Sequence, residues 1–133
     1  MKYSQATDYA LHAMLYLVTA APDKPVPVQL LAEKLGVSQT YLSKMLTKLV
    51  KAGLIQSVSG ANGGYRLRRN KEDISFLDII HAIEGTASLF ECSLNHGSEC
   101  LIQQVVIEAE QKMEQYLRNK KISELAGQFK GIG

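Results

Sequence analysis

A mainly α-helical fold with one short β-hairpin and a long C-terminal helix is predicted by three features of the 133-residue sequence. Apolar residues recur at helical spacing between Val28 and Gly53 on both sides of a Gly36 break. Two short strand-like runs then flank a segment with Gly60, Gly63 and Gly64. Finally, Leu101 to Asn119 keeps an apolar repeat of alternating fours and threes with no breaker.

The central pair of helices organises the rest. Leu30, Leu31 and Leu35 give the first an apolar stripe, and Gly36 ends it with the residue that best tolerates a left-handed turn. Ser38 caps the second, where Leu42, Met45, Leu46 and Leu49 fall on one face and Thr40, Lys44, Thr47 and Lys51 on the other. Alone, this is a helical hairpin whose polar face is either solvated or applied to a polyanion. The hairpin that follows, Leu54–Val58 and Tyr65–Leu67, decides between these, because a glycine-rich tip backed by Arg66, Arg68 and Arg69 suits close approach to a phosphate backbone. The combination is a winged helix-turn-helix. A nucleotide-phosphate loop is disfavoured, since no Gly-Lys-Ser/Thr closes the glycine run and no helix follows it.

Charge is distributed accordingly. The net charge is only +2, yet residues 1–74 carry ten Lys/Arg against five Asp/Glu, net +5, and residues 75–133 carry five against eight, net −3. The basic half is the half with the two helices and wing. No run is long and apolar enough to cross a bilayer and no export signal opens the chain, which predicts a cytoplasmic protein without membrane partners.

In chain order, residues 4–20 form a helix apolar nearly all round, which must be buried on most sides and is expected to meet a second subunit or the C-terminal arm. His12 within it is read as a buried histidine with a hydrogen-bond partner, not a ligand. Pro22, Pro25 and Pro27 mark a loop, and Pro27 starts the next helix. Ser75 with Asp78 makes a capping box for a helix carrying Phe76, Ile79, Ile80 and Ile83 and ended by Gly85; His81 in it is read as structural. Three regions result: 1–85, DNA-binding; 86–100, a loop holding Cys92 and Cys100; and 101–133, dimerisation helix and tail. In the last, Ile102, Val106, Ala109, Met113 and Tyr116 form a coiled-coil seam too short to stand alone, expected to pair with the same helix of a second copy. The tail is read as one helical turn and a frayed end.

The segments YALHAMLYL, AEKLGVSQTYLSKMLTKLVKAGLI, GANGGYRL and ISFLDIIHAIEG together resemble the Rrf family of bacterial regulators over nearly the whole chain. The resemblance implies a homodimeric winged-helix transcription regulator, usually a repressor, with a long helix crossing to the partner. In many members three cysteines before that helix hold an iron-sulfur cluster. Cys92 and Cys100 match the first and third, and the second has no counterpart. Cys92, Cys100 and His96 with a further carboxylate or partner ligand suit a cluster or zinc, two thiols alone suit a redox switch, and the balance favours no bound cofactor. Family members often carry an arginine just before the first wing glycine; here Ser59 precedes Gly60, so minor-groove reading by that residue is not carried over.

The expected function is sequence-specific DNA binding by a homodimeric repressor on a two-half-site operator, through helix 38–52 and wing 58–66. Ser38, Gln39, Thr40 and Ser43 are assigned to base edges, and Lys44, Lys48, Arg66 and Arg68 to phosphates. Tyr41 either donates to a phosphate or packs, and Gly63 and Gly64 let the wing approach DNA. A regulatory protein or small-molecule effector fits the same scheme. The alternative is a winged-helix module for protein contacts. An enzyme is not expected, because no nucleophile stands beside a recognisable base and the three histidines lie in separate elements.

Overall fold

The computed structural model describes residues 3–20, 24–88 and 100–126. Five α-helices and one two-stranded antiparallel sheet follow in the order α1 (Gln5–Thr19), α2 (Val28–Leu35), α3 (Gln39–Lys51), β1 (Ile55–Val58), β2 (Gly64–Leu67), α4 (Phe76–Glu84) and α5 (Leu101–Asn119). Short 3-10 turns cover Lys71–Asp73 and Ile122–Leu125.

Local chemistry sets the helix ends. Gly36 closes α2 at φ 70°, ψ 34°, the left-handed geometry that costs glycine least, and its N–H bonds back into α2. Ser38 caps α3 and Ser75 caps α4, the latter in a full box: Ser75 Oγ accepts from Asp78 N–H and Asp78 Oδ2 accepts from Ser75 N–H, both at 3.0 Å.

The core forms around α1. Ala10, Ala13, Met14, Leu15, Leu17 and Val18 are buried, against Leu31 of α2, Leu42, Met45, Leu46 and Leu49 of α3, Leu54, Ile55, Ile74 and Ile79. The cover for α1 comes largely from its own chain, with Ile122 completing it, so the expected contact with the C-terminal arm is met within the subunit. His12 is not buried as expected. Its side chain is 44% exposed, with Nδ1 2.8 Å from the Asp8 carbonyl oxygen and 3.3 Å from Asp8 Oδ1.

Two backbone pairings escaped the sequence. Val26, between two prolines, exchanges hydrogen bonds with Tyr65 (2.8 and 2.9 Å) and so extends the hairpin by one residue of a third strand. The chain also returns after α5: Phe76 N–H donates to Lys120 O at 2.9 Å and Ile122 N–H to Ile74 O at 3.0 Å, placing Ile122 at 1% exposure in the core. The helical turn expected at the start of the tail is present as Ile122–Leu125, and it is a packed anchor. Residues beyond 126 lie outside the described ones.

α5 itself buries no residue. Its half-buried face, including Val106, Glu110, Met113, Glu114 and Leu117, lies toward α4, where His81 Nε2 sits 3.2 Å from Glu114 Oε2. Leu101, Ile102, Val105 and Tyr116 are 62–74% exposed. The heptad seam is thus divided between two faces: Val106 and Met113 belong to the face toward α4, and Ile102, Ala109 and Tyr116 stand on the open one.

Candidate nucleic-acid interface

The site is built from α3 and the wing. Four leucine and methionine residues of α3 enter the core, which turns the opposite face outward. Gln39, Thr40, Lys44, Thr47, Lys48 and Lys51 are exposed and Ser43 is half-buried. Ser38 is exposed, and its oxygen is engaged as the α3 cap, accepting from Tyr41 N–H at 3.1 Å, which leaves its proton and a second lone pair for a further partner. Thr47 Oγ1 donates to Ser43 O at 2.8 Å, which directs that hydroxyl proton back to the helix. Gln39, Thr40 and Lys44 thus form the outward polar surface near the first turns of α3, and Lys51 extends it at the far end.

Two assigned residues lie toward the flank of α3. Tyr41 meets the Tyr9 ring edge-to-face, with centroids 5.9 Å apart and planes at 88°, and keeps 37% exposure. Of the two roles considered for it, packing is the one with a visible partner. Lys48 acts on Glu84 at the end of α4. The Thr7 hydroxyl first, then the Ser4 N–H, hold the Glu84 carboxyl below the ordinary carboxylate range, and the charge of Lys48 adds to them. Glu84 Oε2 accepts from Thr7 Oγ1 at 2.6 Å, Ser4 N–H at 2.7 Å and Ser4 Oγ at 2.8 Å. That linkage, across 80 residues of sequence, had no local signal.

The wing pairs Ile55 with Leu67, Gln56 with Arg66, Ser57 with Tyr65 and Val58 with Gly64. Its glycines serve the hairpin first. At Gly64, with φ 151°, a Cβ would overlap the Val26 carbonyl, and at Gly63 it would overlap the Val58 carbonyl. Both positions are therefore explained by the close approach of protein backbone, whether or not DNA approaches too. The three arginines have three environments. Arg69 is tied down, with Nη2 donating to Asp73 O at 2.9 Å and Nη1 3.5 Å from Asp78 Oδ2. Arg68 is exposed. Arg66 is half-buried beside Gln56; with the Gln56 amide oxygen turned toward it, Nε and Nη2 donate to that oxygen at 2.6 and 2.9 Å.

Of the suggested metal ligands, Cys92 and His96 lie outside the described residues. Cys100 is buried and caps α5, its Sγ accepting from Gln103 N–H at 3.4 Å. The described residues include no group of three or more His, Cys, Asp or Glu side chains placed to hold a metal ion. No helix among the described residues is long and apolar enough to cross a membrane.

An exposed polar helix held beside a basic two-stranded wing defines a winged helix-turn-helix DNA-binding protein. The family model described as "Rrf2: Iron-dependent Transcriptional regulator" matches residues 3–128, and the chain belongs to the Rrf2 family, whose members are transcriptional regulators and not enzymes. It is 31% identical over 129 residues to the HTH-type transcriptional regulator IscR of Vibrio campbellii, covering 94% of this chain and 77% of that protein. The structure of CymR, the global cysteine regulator of B. subtilis, superposes with a TM-score of 0.83 at 27% identity, over 98% of this chain and 99% of that one. IscR of T. potens superposes with a TM-score of 0.75 at 31% identity, over 96% and 87%.

Proposed function

We propose that two copies of this chain form a repressor that inserts its two α3 helices into successive major grooves of an operator. Half-site centres then lie roughly 34 Å apart, one turn of DNA, or a multiple of it. The observation that carries this reading is the outward face of α3, where Gln39, Thr40 and Lys44 are exposed together on a helix whose other face is locked into the core. Gln39, Thr40, Ser43 and the Ser38 hydroxyl read base edges, Gln39 having the two-pronged amide that matches an adenine edge. Lys44, Lys48, Arg66 and Arg68 neutralise phosphates, and Tyr41 supports α3 against α1. Gly63 and Gly64 keep the wing narrow enough to follow the backbone.

Pairing of subunits is supported by the open apolar stripe Leu101, Ile102, Val105 and Tyr116 on α5. The segment 86–100 joins α4 to that helix, so a redox, metal or effector signal received there reaches the dimer through its first turn. Cys100 is the point of entry, since its sulfur caps α5.

Fluorescence anisotropy with a duplex selected from a random pool by the wild-type protein tests the DNA assignments. Lys44→Ala should weaken binding to selected and random duplex alike and reduce the salt slope by about one. Gln39→Ala should instead relax the selected sequence, with a discrimination loss of about 1–3 kcal/mol at one base pair. Binding that ignores salt would return the chain to the protein-contact alternative, and exchanged phenotypes would undo the division between base and phosphate contacts.

A further inference from the structure

The structure assigns Gln56 the role of a positioning residue that holds the Arg66 guanidinium in the wing, ready for DNA. This rests on Arg66 being a phosphate contact as proposed above. The two residues face each other directly in the β1–β2 register. The Gln56 amide oxygen takes both Nε and Nη2 of Arg66, at 2.6 and 2.9 Å, so one edge of the planar fork is engaged within the protein. The Nη1 hydrogens and the outer Nη2 hydrogen are left, which is the end-on edge of the guanidinium, and that edge matches two phosphate oxygens. Gln56 is neutral, so it fixes the fork's plane without cancelling its charge. A carboxylate would fix the plane as well and remove the net attraction for phosphate.

The other two wing arginines show what Gln56 adds. Arg69 is held by the Asp73 carbonyl and the Asp78 carboxylate, near the base of the wing and already paired with an anion. Arg68 is exposed and must lose side-chain freedom when it reaches DNA. Arg66 alone of the three is both held and left uncancelled, so part of its ordering is complete before DNA arrives.

The test is a thermodynamic cycle on the full chain, using the duplex selected by the wild-type protein, with Gln56→Ala, Arg66→Ala and the double variant, and with melting curves to check folding. Gln56→Ala should weaken binding about threefold to tenfold when Arg66 is present and leave it unchanged when Arg66 is alanine. Its salt slope should stay near that of the wild type, because no charge is lost, whereas Arg66→Ala should lower the slope by about one. Gln56→Glu keeps the hold but cancels charge, so it should lower the slope as well as the affinity. Arg66→Lys, which lacks the fork, should make binding insensitive to Gln56→Ala. An equal loss from Gln56→Ala in both Arg66 backgrounds would overturn the assignment, as would no loss at all alongside a clear effect of Arg66→Ala. If Arg66→Ala changed neither affinity nor slope, the phosphate contact proposed for it would fall instead, and the assignment with it.

Discussion

The two longest helices treat their apolar residues in opposite ways. α1 has 15 residues, seven of them buried, and lies at the centre of the core. α5 has 19 and buries none, leaving Leu101, Ile102, Val105 and Tyr116 in solvent along one side. Apolar character alone therefore does not distinguish a core helix from one that keeps an apolar stripe exposed. α1 is apolar on nearly every side, which its own domain accommodates by wrapping it with α2, α3, α4 and the Ile122 turn. α5 is apolar along narrower stripes, one toward α4 and one open, and the open one has no cover in its own chain among the described residues.

The largest effect that would break this comparison is expected on the open stripe. Ile102→Asp combined with Val105→Asp places two carboxylates where the proposed pairing needs apolar surface. Association should weaken by about 4 kcal/mol or more, at roughly 1.5–3 kcal/mol per side chain kept from burial. Sedimentation should then show monomers whose helical circular dichroism and melting of the α1–α4 body are close to those of the parent chain. A dimer of undiminished affinity would mean that the subunits pair elsewhere. The matching change in the buried helix, Met14→Ala, should do the reverse: it empties a fully buried site and should cost about 3 kcal/mol of stability in a denaturant titration. If Met14→Ala proved as mild as an exposed substitution, the central position of α1 would be wrong.

A smaller change sharpens the junction between the two helices. Ser75 caps α4 while its neighbourhood pairs with Lys120–Ile122, the return from α5. Ser75→Ala removes the acceptor for the Asp78 N–H and should cost about 1 kcal/mol, measured by urea midpoint. Hydrogen exchange should rise at the first turn of α4 and at Ile122 before it rises in α1. Protection lost first in α1 would place the weak point in the core instead.

Much of this arrangement was legible because it is local. The Ser75–Asp78 box, the left-handed Gly36 and the two hairpin strands, each within one residue of its expected start, follow from short patterns that carry their own physics. The outward face of α3 was legible for the same reason: its 3.6-residue period fixes which side meets the core. What was not legible lies in single-residue pairings between distant segments. Val26 joins the wing through one N–H and one C=O, with prolines on either side that suggest only a loop. Ile122 enters the core from a segment with no sustained period. The dual use of Ser38, as α3 cap and assigned reader, could be anticipated, but its geometry could not. Glu84 meets Ser4 and Thr7 only once α1 and α4 are packed side by side.

That last contact gives the smallest expected effect and ties the comparison to pH. Thr7 and Ser4 hold the Glu84 carboxyl below its ordinary value, so the folded form has the lower pKa and the unfolded chain binds the proton more readily. The stability that Glu84 contributes is therefore complete above the unfolded value, near 4.5, and is lost as pH falls through the lower folded value. Glu84→Gln should lower the urea midpoint at pH 7, and the gap between variant and parent should narrow as the pH is taken down through the acid range. Because Glu84 is solvent-exposed, the gap should be small and should shrink further in high salt only to the extent that Lys48, and not the hydroxyl donors, supplies it. A gap independent of pH would mean that the amide side chain fails by its shape, not by its charge. A gap that vanished in salt would make Lys48 the dominant partner of Glu84, reversing the order given above and tying the end of α4 to α3 more directly than the Thr7 and Ser4 hydrogen bonds tie it to α1.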